Sequence, residues 1–160
     1  MFRYRDTIRK GRLAKQTDHC GSDGPVFDLA ELTVNGRVRD PWDRRRLLTT
    51  RGSARLADRV LIYAVAADLQ VHVGFDGVRG TTGAVKHETL FHNAAVRAAG
   101  EIVIVEGVVQ SVNDHSGSYR THGKMAADPG FARAVLGSLD RAGAAITAEE
   151  LTRLKGEAGQ

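Results

Sequence analysis

Residues 60–65 read VLIYAV and residues 69–76 read LQVHVGFD. The first is an unbroken apolar run of strand length. In the second, Leu69, Val71, Val73 and Phe75 alternate with Gln70, His72, Gly74 and Asp76. A period of two sends alternate side chains to opposite faces, so this stretch predicts a strand with one apolar face. Ala67-Asp68 punctuates the pair. Further along, 102–105 (IVIV) and 108–112 (VVQSV) flank Glu106-Gly107 and predict a hairpin. A shorter hairpin is expected where Asn35-Gly36 separates ELTV from RVRD, because both turn residues must tolerate positive φ. Asp40-Pro41 ends that unit. Residues 84–89 are expected to add a strand, 77–83 a glycine-rich loop, and 113–124 a polar, turn-rich segment.

The period changes near the end of the chain. Phe131, Val135, Leu139 and Ala142 recur at helical spacing. Asp128 stands as N-cap before Pro129 at the first helical position, and Gly143 stops the helix. Thr147-Ala148-Glu149-Glu150 matches a capping box for a last helix through about Leu154. Residues 2–15 predict a sparse amphipathic helix, 16–25 a loop, and 43–48 a short helix. Helix or loop, then strands, then helices makes an α+β fold. Its sheet is mainly antiparallel and built of hairpins, with an N-terminal helix and two C-terminal helices. All 160 residues are expected to form a single domain.

Composition narrows the function. The chain is 42% hydrophobic and 26% charged, so global disorder is not expected. No run of about 18 apolar residues could span a membrane. MFRYRDTIRK has no apolar core and does not read as a secretory signal, so synthesis in the cytosol is expected, with any export by a dedicated machine. The single Cys20 cannot form an internal disulfide, a zinc ribbon or a CxxC pair. Net charge is +4 and unevenly spread: residues 1–58 hold 13 Lys/Arg against 8 Asp/Glu, and residues 59–160 hold 10 against 11. One basic cluster is Arg3, Arg5, Arg9, Lys10, Arg12 and Lys15; the other is Arg44, Arg45 and Arg46, with Arg51 and Arg55 nearby. Such patches suit an acidic protein partner, a cognate inhibitor, RNA or a nucleotide. The scarcity of aromatics argues against a groove that stacks single-stranded bases.

Five of the six histidines, His72, His87, His92, His115 and His122, fall between residues 72 and 122. They share that stretch with Lys86, Glu88, Glu101, Tyr119, Arg120 and Lys124. HExxH is absent: KHETLFHN puts His92 five residues after His87, a spacing that faces neither one side of a helix nor one side of a strand. No GxxxxGK[ST], GxGxxG or GxSxG occurs, so no metal and no cofactor is expected. Imidazoles with a cation and a phenol are the parts of metal-free acid–base chemistry. In that reading His87 and His115 transfer protons and Tyr119 orients substrate. Lys86 and Arg120 hold developing negative charge.

Three strings carry a family resemblance: Lys86-His87-Glu88-Thr89-Leu90, Ala98-Ala99-Gly100-Glu101 and His115-Ser116-Gly117-Ser118-Tyr119-Arg120. In this order they resemble a module with the pattern HHSSF, AAGE, SGHYRP. That module is associated with bacterial toxin- or effector-like chains and with plant calmodulin-binding proteins that carry an IQ motif. The resemblance spans residues 59–143. His87, Glu101, Ser116, Gly117 and Tyr119 match it. Glu88-Thr89 stands where the pattern has two serines, Ser118 where it has His, and Thr121 where it has Pro. The IQ motif itself is incomplete: Lys10-Gly11 with Lys15 fits its second half, and Arg5-Asp6 fails the first.

The expectation is an effector- or toxin-like enzyme domain acting without metal on RNA or another phosphate-bearing substrate. Its catalytic candidates are His87, His115, Tyr119, Lys86 and Glu101, and its substrate-binding candidates are Arg120, Ser116, Gly117 and His92. One alternative is an ADP-ribosyl-transferring toxin using NAD, for which Glu101 is the only good candidate glutamate. The other is a non-catalytic protein-binding module with a basic surface.

Overall fold

The computed structural model describes residues 1–3, 24–50, 60–76 and 85–160. Of the expected helix at 2–15 only Phe2 and Arg3 are described, and Phe2 forms an antiparallel bridge with Val96 instead; the remainder of it, most of the loop after it, and the glycine-rich loop at 77–83 lie outside these residues. In chain order the elements are β1 (Phe27–Asp28), α1 (Leu29–Leu32), β2 (Thr33–Val34), β3 (Arg37–Val38), β4 (Val60–Val65) and β5 (Val71–Asp76). There follow α2 (His87–Leu90), β6 (Ala98–Val105), β7 (Val108–Val112), α3 (Lys124–Ala127), α4 (Pro129–Ala142) and α5 (Ala148–Glu157). The fold is α+β, and every strand pairing is antiparallel, in a sheet of order β1-β5-β4-β6-β7 and the separate hairpin β2-β3.

The unbroken apolar run becomes the middle strand, with all six residues of β4 buried. Leu61, Tyr63 and Val65 face a core closed by Leu29 and Leu32 of α1, by Phe131, Val135 and Leu139 of α4, and by Leu154 of α5. Val60, Ile62 and Ala64 face a thinner layer of Val85, Leu90, Val96, Ala99 and Tyr119. The polar parity of β5 is therefore not a solvent face. His72 Nδ1 meets the Leu90 carbonyl at 2.8 Å and its ring stacks on Phe91, while Val85 packs over Gly74.

The helix ends follow the sequence signals. Asp128 accepts from the Gly130 N–H, Pro129 opens α4, and Gly143 closes it at φ 73°. Thr147 caps α5 by accepting from the Glu150 N–H, but Glu150 does not complete the capping box. Its carboxylate accepts from the Val112 N–H (2.8 Å) and from Arg153 (2.6 Å), tying α5 to β7. α5 runs on to Glu157, past the expected end. Asn35-Gly36 forms the expected turn, with φ 52° and 83°.

Three expectations are corrected. Residues 43–48 form a turn, because Asp43 Oδ1 accepts from the Arg45 N–H, a local bond that competes with a helix. The expected strand at 84–89 is instead extended at Val85-Lys86 and then turns into α2. His87 and Glu88 are both buried, which a strand with one covered face cannot provide. β6 begins at Ala98 rather than at residue 102, since Ala98, Ala99 and Gly100 pair with Val65, Ala64 and Tyr63.

Gly100 is where this sheet has no room. A Cβ there would stand 2.7 Å from the Asn113 carbonyl carbon and closer still to its oxygen. Tyr63 donates to that same oxygen at 2.8 Å, and the Asn113 N–H donates to Glu101 O. Gly100→Ala should therefore cost about 3 kcal/mol or more in urea unfolding, the upper end for overpacking, because the obstruction is backbone. Gly117→Ala, which meets nothing within 4 Å, should stay within about 0.5 kcal/mol of the parent.

Candidate functional site

The three strings separated in sequence meet around β6. His87 Nε2 lies 2.8 Å from the Gly100 carbonyl oxygen. A carbonyl only accepts, so Nε2 carries the proton and Nδ1 the lone pair in the neutral ring. Ser118 Oγ donates to Glu88 Oε2 at 2.6 Å. The Thr121 hydroxyl sits between the carbonyls of Ala99 (3.0 Å) and Asp114 (2.8 Å). Asn113 joins the last strand to the third string: its Oδ1 accepts from the N–H groups of Glu101 and His115, and its Nδ2 donates to Glu101 Oε1 at 3.0 Å.

This network borders a cleft of about 670 Å³, lined by Ile62, Asp76, His87, Glu101, His115, Ser116, Gly117, Arg120 and His122. Ile62 and Glu101 face each other across β4 and β6, and Asp76 ends β5 opposite Val60. His115 is half exposed. Its Nδ1 lies 4.0 Å from Glu101 Oε1, its Nε2 3.9 Å from Asp114 Oδ1, and its ring stacks on His122 at 4.5 Å. Arg120 holds φ 54°, in the left-handed region, within the turn that forms the cleft wall. Burial, opposed in part by Lys86 and assisted by Glu101, pushes the Asp76 carboxyl up. Burial pushes the His87 imidazole down, against the Gly100 hydrogen bond and the charges of Glu88 and Glu101.

Of the nine candidate residues, six line this cleft: His87, His115, Glu101, Arg120, Ser116 and Gly117. Three do not. Tyr119 is buried in the thin layer, its hydroxyl donating to Ala94 O at 2.9 Å. Lys86 is exposed at the start of α2, outside the lining but close enough to act on Asp76. His92 is exposed at φ 51°, beyond the end of α2. Ser116 lines the cleft while its Oγ accepts from the Tyr119 N–H. Asp76, His122 and Ile62 belong to the lining and Asn113 to its support, and the sequence reading singled out none of them as a site residue. Asp76 was marked only by its parity with His72, and Asn113 only by following the β7 run. Among the described residues no group of three or more His, Cys, Asp and Glu could hold a metal ion, and no helix is long and apolar enough to cross a membrane.

An α+β module built on one five-stranded antiparallel sheet and a small hairpin, with a polar cleft at the meeting of three motif strings, is the class that fold and site define. The model of the family described as IQ motif-containing protein middle domain matches residues 33–125, more than half of the chain, and the chain belongs to that family. The match starts at β2, ahead of the expected residue 59, and ends within α3, before α4. No curated protein and no solved structure matches significantly.

Glu88 and Ser118, from the first and third strings, share the 2.6 Å bond. Glu88→Ala or Ser118→Ala alone should destabilise the fold. The double variant should lose less than the sum of the two, with a coupling of about 0.5–3 kcal/mol in a double-mutant cycle. A second expectation concerns pH. His87 in the folded chain sits below its ordinary 6.5. Below that value the unfolded chain takes up a proton that the native chain refuses, so the contribution is complete above about pH 6.5 and is lost as pH falls. Urea midpoints of the parent should drop from pH 7 to 5 more steeply than those of His87→Gln, whose amide keeps a donor for Gly100.

Proposed function

We propose that the chain is a protein-binding module that holds an acidic, calmodulin-like partner against the basic face of its front half. The observation that carries this reading is Trp42, 61% exposed and packed edge-on against Phe27, beside the exposed side chains of Arg44, Arg45 and Arg46. Tryptophan and arginine dominate the energetics of protein interfaces, and a row of guanidiniums suits carboxylates. The Arg45–Asp43 pair at 3.2 Å is exposed and offers weak competition. Membership of a family named for IQ-motif proteins supports the same class of partner. So does the use of His87, Glu88, Tyr119 and Thr121 as ties that hold the fold together.

The acid–base reading retains one observation in its favour, the convergence of six candidates on one cleft. In that reading the role of His87 passes to His115, which is half exposed and flanked by Glu101 and Asp114. Action on RNA, transfer from NAD and a toxin-like role belong to that second reading.

Trp42 is the only tryptophan, so its emission reports on this face directly. Titration with calcium-loaded calmodulin should give a saturable change. Arg44→Glu, Arg45→Glu and Arg46→Glu together should weaken binding at least about tenfold, and added salt should weaken it further. Absence of binding, or equal affinity of the triple variant, would overturn the proposal.

A further inference from the structure

The cleft shares no lining residue with the basic face, and its carboxylates and its basic side chains come from different segments, with His115 reaching to 4.0 Å from Glu101. Both carboxylates stand on the sheet, Asp76 at the end of β5 and Glu101 on β6, with the apolar Ile62 of β4 between their strands. The guanidinium of Arg120 and the stacked imidazoles of His115 and His122 stand on the opposing segment after β7. Glu101 is fixed in place by Asn113 through Oε1. A carboxylate accepts hydrogen bonds from hydroxyls, and a guanidinium offers a fork of donors to a phosphate. A ligand suited to both walls must carry donors on one side and an oxyanion on the other. The volume of about 670 Å³ is that of a small-molecule site.

We propose that this cleft binds a phosphorylated sugar, with hydroxyls on Asp76 and Glu101 and the phosphate on Arg120 and His122. The shared chemistry is a phosphate-bearing polyol, either a free sugar phosphate or the ribose-phosphate unit of a nucleotide. Inorganic phosphate satisfies one wall only and leaves the carboxylates facing it. An unphosphorylated sugar leaves Arg120 without its anion. The proposal stands apart from the protein-binding reading and does not require that the ligand be turned over.

Isothermal titration of the full chain tests it with ribose 5-phosphate, adenosine 5′-monophosphate, ribose and inorganic phosphate as probes. At least one phosphorylated sugar should bind at least about tenfold more tightly than ribose or phosphate, about 1.4 kcal/mol. Arg120→Ala and Asp76→Asn should each weaken it severalfold while thermal unfolding stays unchanged. Tighter binding of the monophosphate assigns the site to a nucleotide; equal binding assigns it to the sugar phosphate alone. The triple Arg44–46 variant should bind these probes as the parent does, so failure here and failure of the calmodulin titration are separate results. Binding of none of the probes, equal binding of inorganic phosphate, or full affinity in both Arg120→Ala and Asp76→Asn would overturn the proposal.

Discussion

The close approach of Asn113 to Gly100 sets the position of everything around the cleft. Only a residue without a Cβ lets the chain leaving β7 cross β6 so closely. That crossing puts the Asn113 side chain where it can hold the Glu101 backbone, the Glu101 carboxylate and the His115 backbone together. It also leaves the Gly100 carbonyl to receive His87. A buried polar network of this kind is stable only when its members find partners, because each orphaned group costs a desolvation penalty that no neighbouring contact offsets. The contacts of His87, Thr121, Asn113 and Glu101 meet that condition.

The thin layer over the second face of the sheet explains why these bonds matter. On the first face, helices α1, α4 and α5 bury β4 with large side chains such as Phe131, Leu139 and Leu154. On the second, the cover is α2 and the turns after β7, with few large apolar residues. Position there is fixed by hydrogen bonds from His87, Ser118, Tyr119 and Thr121 to carbonyls or carboxylates. The same polar groups that could have served chemistry hold the roof of the cleft. The titratable side chains left to face the cleft are Asp76, Glu101, His115, Arg120 and His122. Across this roof Ser118 donates to Glu88, tying the first string to the third.

The strands and long helices were legible because each carries a strong local signal. VLIYAV is the length of a buried strand, and Asp128-Pro129 with Gly143 brackets α4 at both ends. α2 was misread because Val85 and His87 alternate as in a strand, and only the burial of Glu88 against Ser118, thirty residues away, shows otherwise. Ala98-Ala99-Gly100 carries little strand propensity, so the start of β6 was invisible until β4 paired with it. The clustering of six site candidates was readable through the motif strings. The withdrawal of Tyr119 and the arrival of Asp76 depended on which face of the sheet the short layer covers, and no local pattern encodes that.

The Gly100 node can be observed at the His87 ring itself. Nitrogen-15 NMR of the imidazole at pH 7 should show a neutral ring protonated at Nε2, with that proton protected from exchange by its bond to the strand. A ring protonated at Nδ1, or a charged and freely exchanging imidazole at that pH, would contradict the account.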